Sequence, residues 1–155
     1  MAHAQPAHAK DAFSKSALAH IASAIADAER DTYAEIRVAI HDERETELSG
    51  KPLADVAKSE FAKLGMHKTA ARNGLLLLVL YSERKFYIYA DVGIHSKTQP
   101  ETWTDVAAQL GNDFKQGHFE EGVTNALKKI TEHLRGVLSK PAERSNELSN
   151  EVSIG

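Results

Sequence analysis

The run Gly74-Leu75-Leu76-Leu77-Leu78-Val79-Leu80-Tyr81 constrains the fold more than any other stretch of the chain. A strand with one wet face alternates apolar and polar residues, and this run does not alternate. It needs apolar cover on both faces, so it belongs at the centre of a sheet lying between two helical layers. Ser82-Glu83-Arg84-Lys85 is a polar turn, and Phe86-Tyr87-Ile88-Tyr89-Ala90 then returns as an antiparallel hairpin partner. The returning strand ends on Asp91-Val92-Gly93, which carries a carboxylate back beside the point where the first strand began.

The flanking segments supply the layers. Ser14 or Ser16 is placed to cap a helix whose apolar positions Leu18, Ile21, Ala22, Ile25 and Ala28 keep helical spacing and which ends near Glu29-Arg30-Asp31-Thr32. Glu35 to His41 alternates with the period of a strand that has one side less buried. Asp42 to Gly50 is a charged loop. Leu53, Val56, Ala57, Phe61 and Leu64 then form a second helical stripe that Gly65 terminates. Pro100 opens a third helix with Trp103, Val106, Leu110 and Phe114 inward, and a fourth carries Phe119, Val123, Leu127, Ile130 and Leu134. This order predicts an α/β protein, a three-layer α/β/α sandwich with a small mixed sheet, its first two strands joined by a right-handed parallel crossover. Residues 1–12 read as a disordered arm, 13–138 as one domain, and 139–155, rich in Ser, Asn and Glu, as a disordered tail.

Composition removes several function classes. With 155 residues there is room for one domain of ordinary size. A net charge of −3 gives no general attraction to nucleic acid, and the dispersed cations Lys68, Arg72, Arg84 and Lys85 form no stripe for it. The absence of cysteine excludes disulfides, thiolate metal sites and cysteine nucleophiles. Met1 to Lys10 lacks the pattern of a secretory signal, and the longest apolar run falls far short of the roughly 18–20 residues of a membrane span. The expectation is a cytoplasmic protein that binds no nucleic acid and spans no membrane. Neither a phosphate-binding glycine loop, a dinucleotide fingerprint nor a serine-hydrolase elbow is present.

Topology gathers polar residues at one rim. Parallel first and second strands begin at the same end, which brings Glu35 near Arg72 and Asn73. The antiparallel third strand delivers Asp91 there, and the end of the first helix adds Glu29 and Asp31. Carboxylate and amide oxygens are the hard donors that calcium and magnesium prefer. The competing reading is structural: Asp or Asn beside Gly serves turns, and a Glu leading into a strand is commonly solvated. The spacing is not that of an EF-hand loop. Histidines 67 and 95 flank the hairpin and can approach the rim, while none of the eight forms a zinc-binding helical pair. Trp103, on an apolar helical stripe, reads as core.

Four segments in order resemble the TPM domain family. They are Glu29-Arg30-Asp31-Thr32-Tyr33-Ala34-Glu35-Ile36-Arg37-Val38, His67-Lys68-Thr69-Ala70-Ala71-Arg72-Asn73-Gly74-Leu75-Leu76, Arg84 through Ile94, and Phe114-Lys115-Gln116-Gly117-His118-Phe119-Glu120-Glu121-Gly122-Val123. That family includes bacterial members and thylakoid-lumen proteins described as acid phosphatases. The resemblance implies an α/β/α sandwich and a divalent cation, often calcium, on Glu29, Glu35, Asn73 and Asp91. Three functions follow as expectations: a calcium-binding module (magnesium being the other candidate ion) that serves an unknown protein partner, a metal-dependent acid phosphatase acting on phosphomonoesters, or a structural protein without a site. No residue of the sequence stands out as a nucleophile.

Overall fold

The computed structural model describes residues 5–138 and 152–154. Its elements in chain order are α1 (Ala9–Ala12), α2 (Lys15–Asp31), β1 (Glu35–His41), α3 (Leu53–Lys63), β2 (Gly74–Leu80), β3 (Lys85–Ala90), α4 (Val92–His95), α5 (Thr104–Lys115), α6 (Phe119–Arg135) and β4 (Ser153–Ile154). The sheet order is β3-β2-β1-β4, with β1 parallel to β2, β2 antiparallel to β3, and β4 parallel to β1. This is the expected mixed sheet between helical layers, extended by one strand.

Local chemistry explains the boundaries. Ser14 caps α2, its hydroxyl accepting from the Ala17 N–H at 3.0 Å, so Ser14 rather than Ser16 starts the helix. Gly65 takes the left-handed conformation after α3, at φ 73°, where a side chain would be strained. Pro100 opens a single 3-10 turn, Pro100–Trp103, and α5 proper begins one turn later than the sequence suggests.

Every residue of β2 is buried. Leu75, Leu77 and Val79 pack with Ile21 and Ile25 of α2, Leu110 of α5 and Ile130 of α6. Leu76, Leu78 and Leu80 pack on the opposite face with Val56 and Phe61 of α3 and with Met66. Each such side chain contributes about 1.5–3 kcal/mol of burial, and the double-sided cover is why the run lacks polar residues. β1 is more buried than its alternation implies: its two half-exposed residues are Arg37 and His41, because β4 lies against its outer edge.

Both termini depart from expectation where they are described. Residues 5–12 are not a loose arm. Ala9 and Phe13 enter the core, the Ala9 N–H donates to Asp42 Oδ1 at 2.6 Å, and the buried Tyr81 hydroxyl donates to the Pro6 carbonyl at 2.5 Å. A short segment of mostly small and polar residues has no periodic pattern, so this docking is written in its partners. The disorder expected for the tail falls, over 139–151 and at 155, outside the described residues. Within 152–154, Val152 and Ile154 pack against the main core, and Ser153–Ile154 pair with Ala39 and Ile40.

Candidate functional site

The Asp91 end of the sheet is built from three connections. Between α2 and β1, the Thr32 hydroxyl donates to the Ala28 carbonyl at 2.9 Å and accepts from the Ala34 N–H at 3.3 Å, fixing the corner that presents Glu35. Between α3 and β2, Arg72 sits at φ 52°, a conformation costly for a residue with a side chain. Between β3 and α5, Asp91 caps α4 by accepting from the Val92 N–H at 2.7 Å.

These connections are tied to one another through the backbone. The Glu35 N–H donates to the Asn73 carbonyl at 3.0 Å, the Asp91 N–H to the Gly74 carbonyl at 2.9 Å, and the Gly93 N–H to the Arg72 carbonyl at 2.8 Å. Gly93 is required by the last contact. A Cβ there would stand 2.6 Å from the carbonyl oxygens of both Ala71 and Arg72.

All four residues expected at the rim, Glu29, Glu35, Asn73 and Asp91, are buried at this end of the sheet. Their individual bonding differs. Glu29 Oε2 accepts from the Ile36 N–H at 2.8 Å, which anchors the end of α2 to the outer edge of β1. Asn73 donates through Nδ2 to the Tyr33 carbonyl, while its Oδ1 is a buried acceptor without a partner among the described residues. Asp91 is engaged on both oxygens by Arg72, with Nε to Oδ2 at 2.8 Å and Nη2 to Oδ1 at 3.0 Å. These bonds to the Asp91 carboxylate hold the Arg72 pKa above its ordinary value. The Asp91 side chain is buried whereas that of Arg72 is 53% exposed, so the carboxylate meets solvent through a guanidinium.

Other expectations fall differently. Asp31 turns away from the rim and pairs with Arg135 of α6. His67 and His95 are exposed. Trp103 is half-buried against the core and makes an edge contact with His133 at 5.7 Å between ring centroids. Sequence reasoning missed Thr32 and Thr69, both buried at this end, the Thr69 hydroxyl having no partner among the described residues. Threonine in a connection gives no signal by type or spacing.

The fit to a hard cation is therefore partial. Asn73 Oδ1 is an orphaned acceptor in a buried setting that a cation would satisfy, and the neighbouring carboxylates are of the right chemical class. Against it, Asp91 already has a cationic partner, and no group of three or more His, Asp or Glu side chains is arranged to hold a metal ion among the described residues.

Comparison with known proteins adds the family. The sequence model described as the TPM domain matches residues 8–133. No curated protein matches the chain in sequence. Among solved structures, the BA42 protein of the psychrophilic bacterium Bizionia argentinensis is similar with a TM-score of 0.84 and 28% identity, over 97% of this chain and 100% of that one. The N-terminal domain of a P. gingivalis protein aligns with TM-score 0.66 at 18% identity, covering 85% of this chain and 83% of that one. The N-terminal domain of cg2496 from Corynebacterium glutamicum aligns with TM-score 0.60 at 13% identity, over 88% and 84%. The last two likenesses speak to the fold alone. With the family model spanning most of the chain, from α1 to near the end of α6, this protein belongs to the TPM domain family.

Proposed function

We propose that this TPM-domain chain is a divalent-cation-binding module, with calcium ahead of magnesium as its ion, which presents the Asp91 end of its sheet to a protein partner. The observation that supports it is the gathering of Glu29, Glu35, Asn73 and Asp91, all buried, at one end of the sheet, with the Asn73 Oδ1 acceptor unpartnered among the described residues. Buried oxygen donors are costly to keep without a compensating partner. Calcium, which takes about six to eight oxygens in flexible geometry, suits a mixed carboxylate–amide set better than magnesium does. In this reading Arg72 is the competing cation, and loading requires its guanidinium to leave Asp91. The cysteine-free composition accords with a cytoplasmic setting, which is part of the proposal.

The deciding experiment is thermal unfolding in EDTA and in calcium, paired with a calcium titration followed by amide NMR. The expectation is a rise in Tm equivalent to about 2.7 kcal/mol at a calcium concentration 100 times Kd, with shifts centred on Glu35, Asn73 and Asp91. Unchanged Tm and spectra at millimolar calcium would reject the reading.

A second reading, metal-dependent hydrolysis of phosphomonoesters, is favoured by the half-exposed Arg72 guanidinium, which is of the type that pairs with phosphate oxygens. A bound cation would supply Lewis-acid polarisation of a phosphate oxygen. Turnover that is removed by EDTA and by Arg72→Gln, with calcium stabilisation retained in that variant, would favour this reading over the first.

A further inference from the structure

The outward sides of β1 and β3, the two long strands that flank β2, are treated in opposite ways. On β1, the Ile36 N–H is taken by Glu29, and Ala39 and Ile40 are covered by β4. On β3 nothing comparable happens among the described residues. The Asp91 N–H to Gly74 carbonyl bond sets the phase of the antiparallel ladder, in which Tyr89, Tyr87 and Lys85 direct their backbone groups toward Leu76, Leu78 and Leu80. Phe86, Ile88 and Ala90 consequently turn their N–H and C=O groups outward, where the sheet has no further strand and no partner stands among the described residues. An open row of this kind is a template for another chain.

Alongside it lies a groove of about 770 Å³ between β3 and α5, walled by Ile88, Ala90, Val92, Trp103, Ala107 and Leu110. Val92, 54% exposed, is the more exposed of the two large apolar side chains that are exposed among the described residues. Phe86, Ile88 and Ala90 face the helical layer that contains α5. A strand added in register would point alternate side chains into the same groove, because residues opposite one another across a ladder share a face.

Charge specifies the ends of the occupant. Lys85 at the start of β3 and Lys97 beyond α4, at the Asp91 end, are exposed and have no ion pair among the described residues. Of the carboxylates nearby, Asp91 is neutralised by Arg72, Asp105 is engaged by His133 and Lys129, and Glu83, close enough to Lys85 to feel its charge, is paired with Arg44. Glu101 is the exposed acid on the helical wall. We propose that the β3 edge is a docking site for an extended peptide of a partner protein, with alternating apolar residues and an acidic residue at each end, which adds as a fifth strand. A second copy of this chain suits the edge less well. Two-fold pairing of β3 strands would set both α5 helices on one face of the joined sheet, each over the groove that the other's strand must fill.

The site uses backbone groups and cations that the proposed cation site does not, so the test is run in EDTA, where failure of the calcium reading leaves it untouched. Isotope-labelled protein is titrated with a blocked heptapeptide that has Glu at both ends and alternating Val and Thr between them. The expected result is saturable shifts over Phe86 to Ala90, with slowed amide exchange at Ile88 and Ala90. The double variant Lys85→Glu/Lys97→Glu binds at least about tenfold more weakly. Ile88→Pro, which removes an outward N–H and no bond to β2, abolishes binding while its spectrum and Tm report an intact fold. Three results overturn the proposal. They are no shift at millimolar peptide, shifts confined to Val152–Ile154 and their β1 neighbours, or protection of Ile88 that rises with protein concentration alone.

Discussion

Asp91 illustrates how one side chain serves two structural tasks before any ligand is considered. It caps α4 and neutralises Arg72. In Asp91→Asn the amide retains capping ability but loses the ion pair. The expected cost to the EDTA-treated protein is at most about 1 kcal/mol by urea unfolding, since the Arg72 partner is half exposed. The calcium-dependent rise in Tm should shrink in the same variant, and an unchanged calcium response would remove Asp91 from the site. Gly93 is the stricter position. Gly93→Ala forces a methyl against two carbonyl oxygens of the Arg72 connection, and a loss of about 1–3 kcal/mol is expected. Denaturation indistinguishable from wild type would show that this connection yields at no cost.

The elements at the two ends of the chain are held by few contacts, and their stability should respond to conditions accordingly. Asp42 accepts from the Ala9 N–H and from His8, and the Ala9 bond is the main reason its pKa lies below the ordinary 3.8. A depressed carboxyl stabilises the fold fully above the unfolded-state value and loses that contribution as pH falls through the folded-state value. Docking of α1 should therefore be complete at neutral pH and weaken in acid below pH 3.8. Because the Asp42 side chain is one-third exposed, the stake is at most about 1 kcal/mol. Asp42→Asn should flatten the acid limb of the stability curve, and an identical limb in wild type and variant would sever the link. At the other end, removal of 139–155 takes β4 from β1. The expected loss is about 1–2 kcal/mol of stability, with faster amide exchange at Ile40. Exchange unchanged at Ile40 would mean that β4 does not protect the edge.

At the scale of the molecule, a sheet covered on both faces gathers Glu29, Glu35, Asn73 and Asp91 at one end, and among the described residues no further strand pairs with β3. Phosphomonoesterase activity, if measured, is expected to be slow and removed by EDTA. A kcat/KM within the ordinary enzyme range of roughly 10⁴–10⁸ M⁻¹s⁻¹, lost in Glu35→Gln and Asp91→Asn, would reverse the ranking of the two readings.

The central strand, the hairpin, the four main helices and the gathering of Glu29, Glu35, Asn73 and Asp91 at one end were legible in the sequence, whereas the burial of those four side chains was not. Hydrophobic periodicity and parallel crossover topology act over whole segments, and both leave a mark in residue order. The ion pair that occupies Asp91 was not legible, because nothing in the order of residues shows that Arg72, nineteen positions away, adopts a left-handed backbone and folds back on it. The docking of residues 5–12 and the pairing of Ser153–Ile154 were equally hidden. These segments are too short to carry a period, and what orders them is a set of distant partners: Asp42, Tyr81 and the outer edge of β1. Segment-scale burial is encoded locally, whereas the bonding of single polar groups is decided only when tertiary structure brings donor and acceptor together.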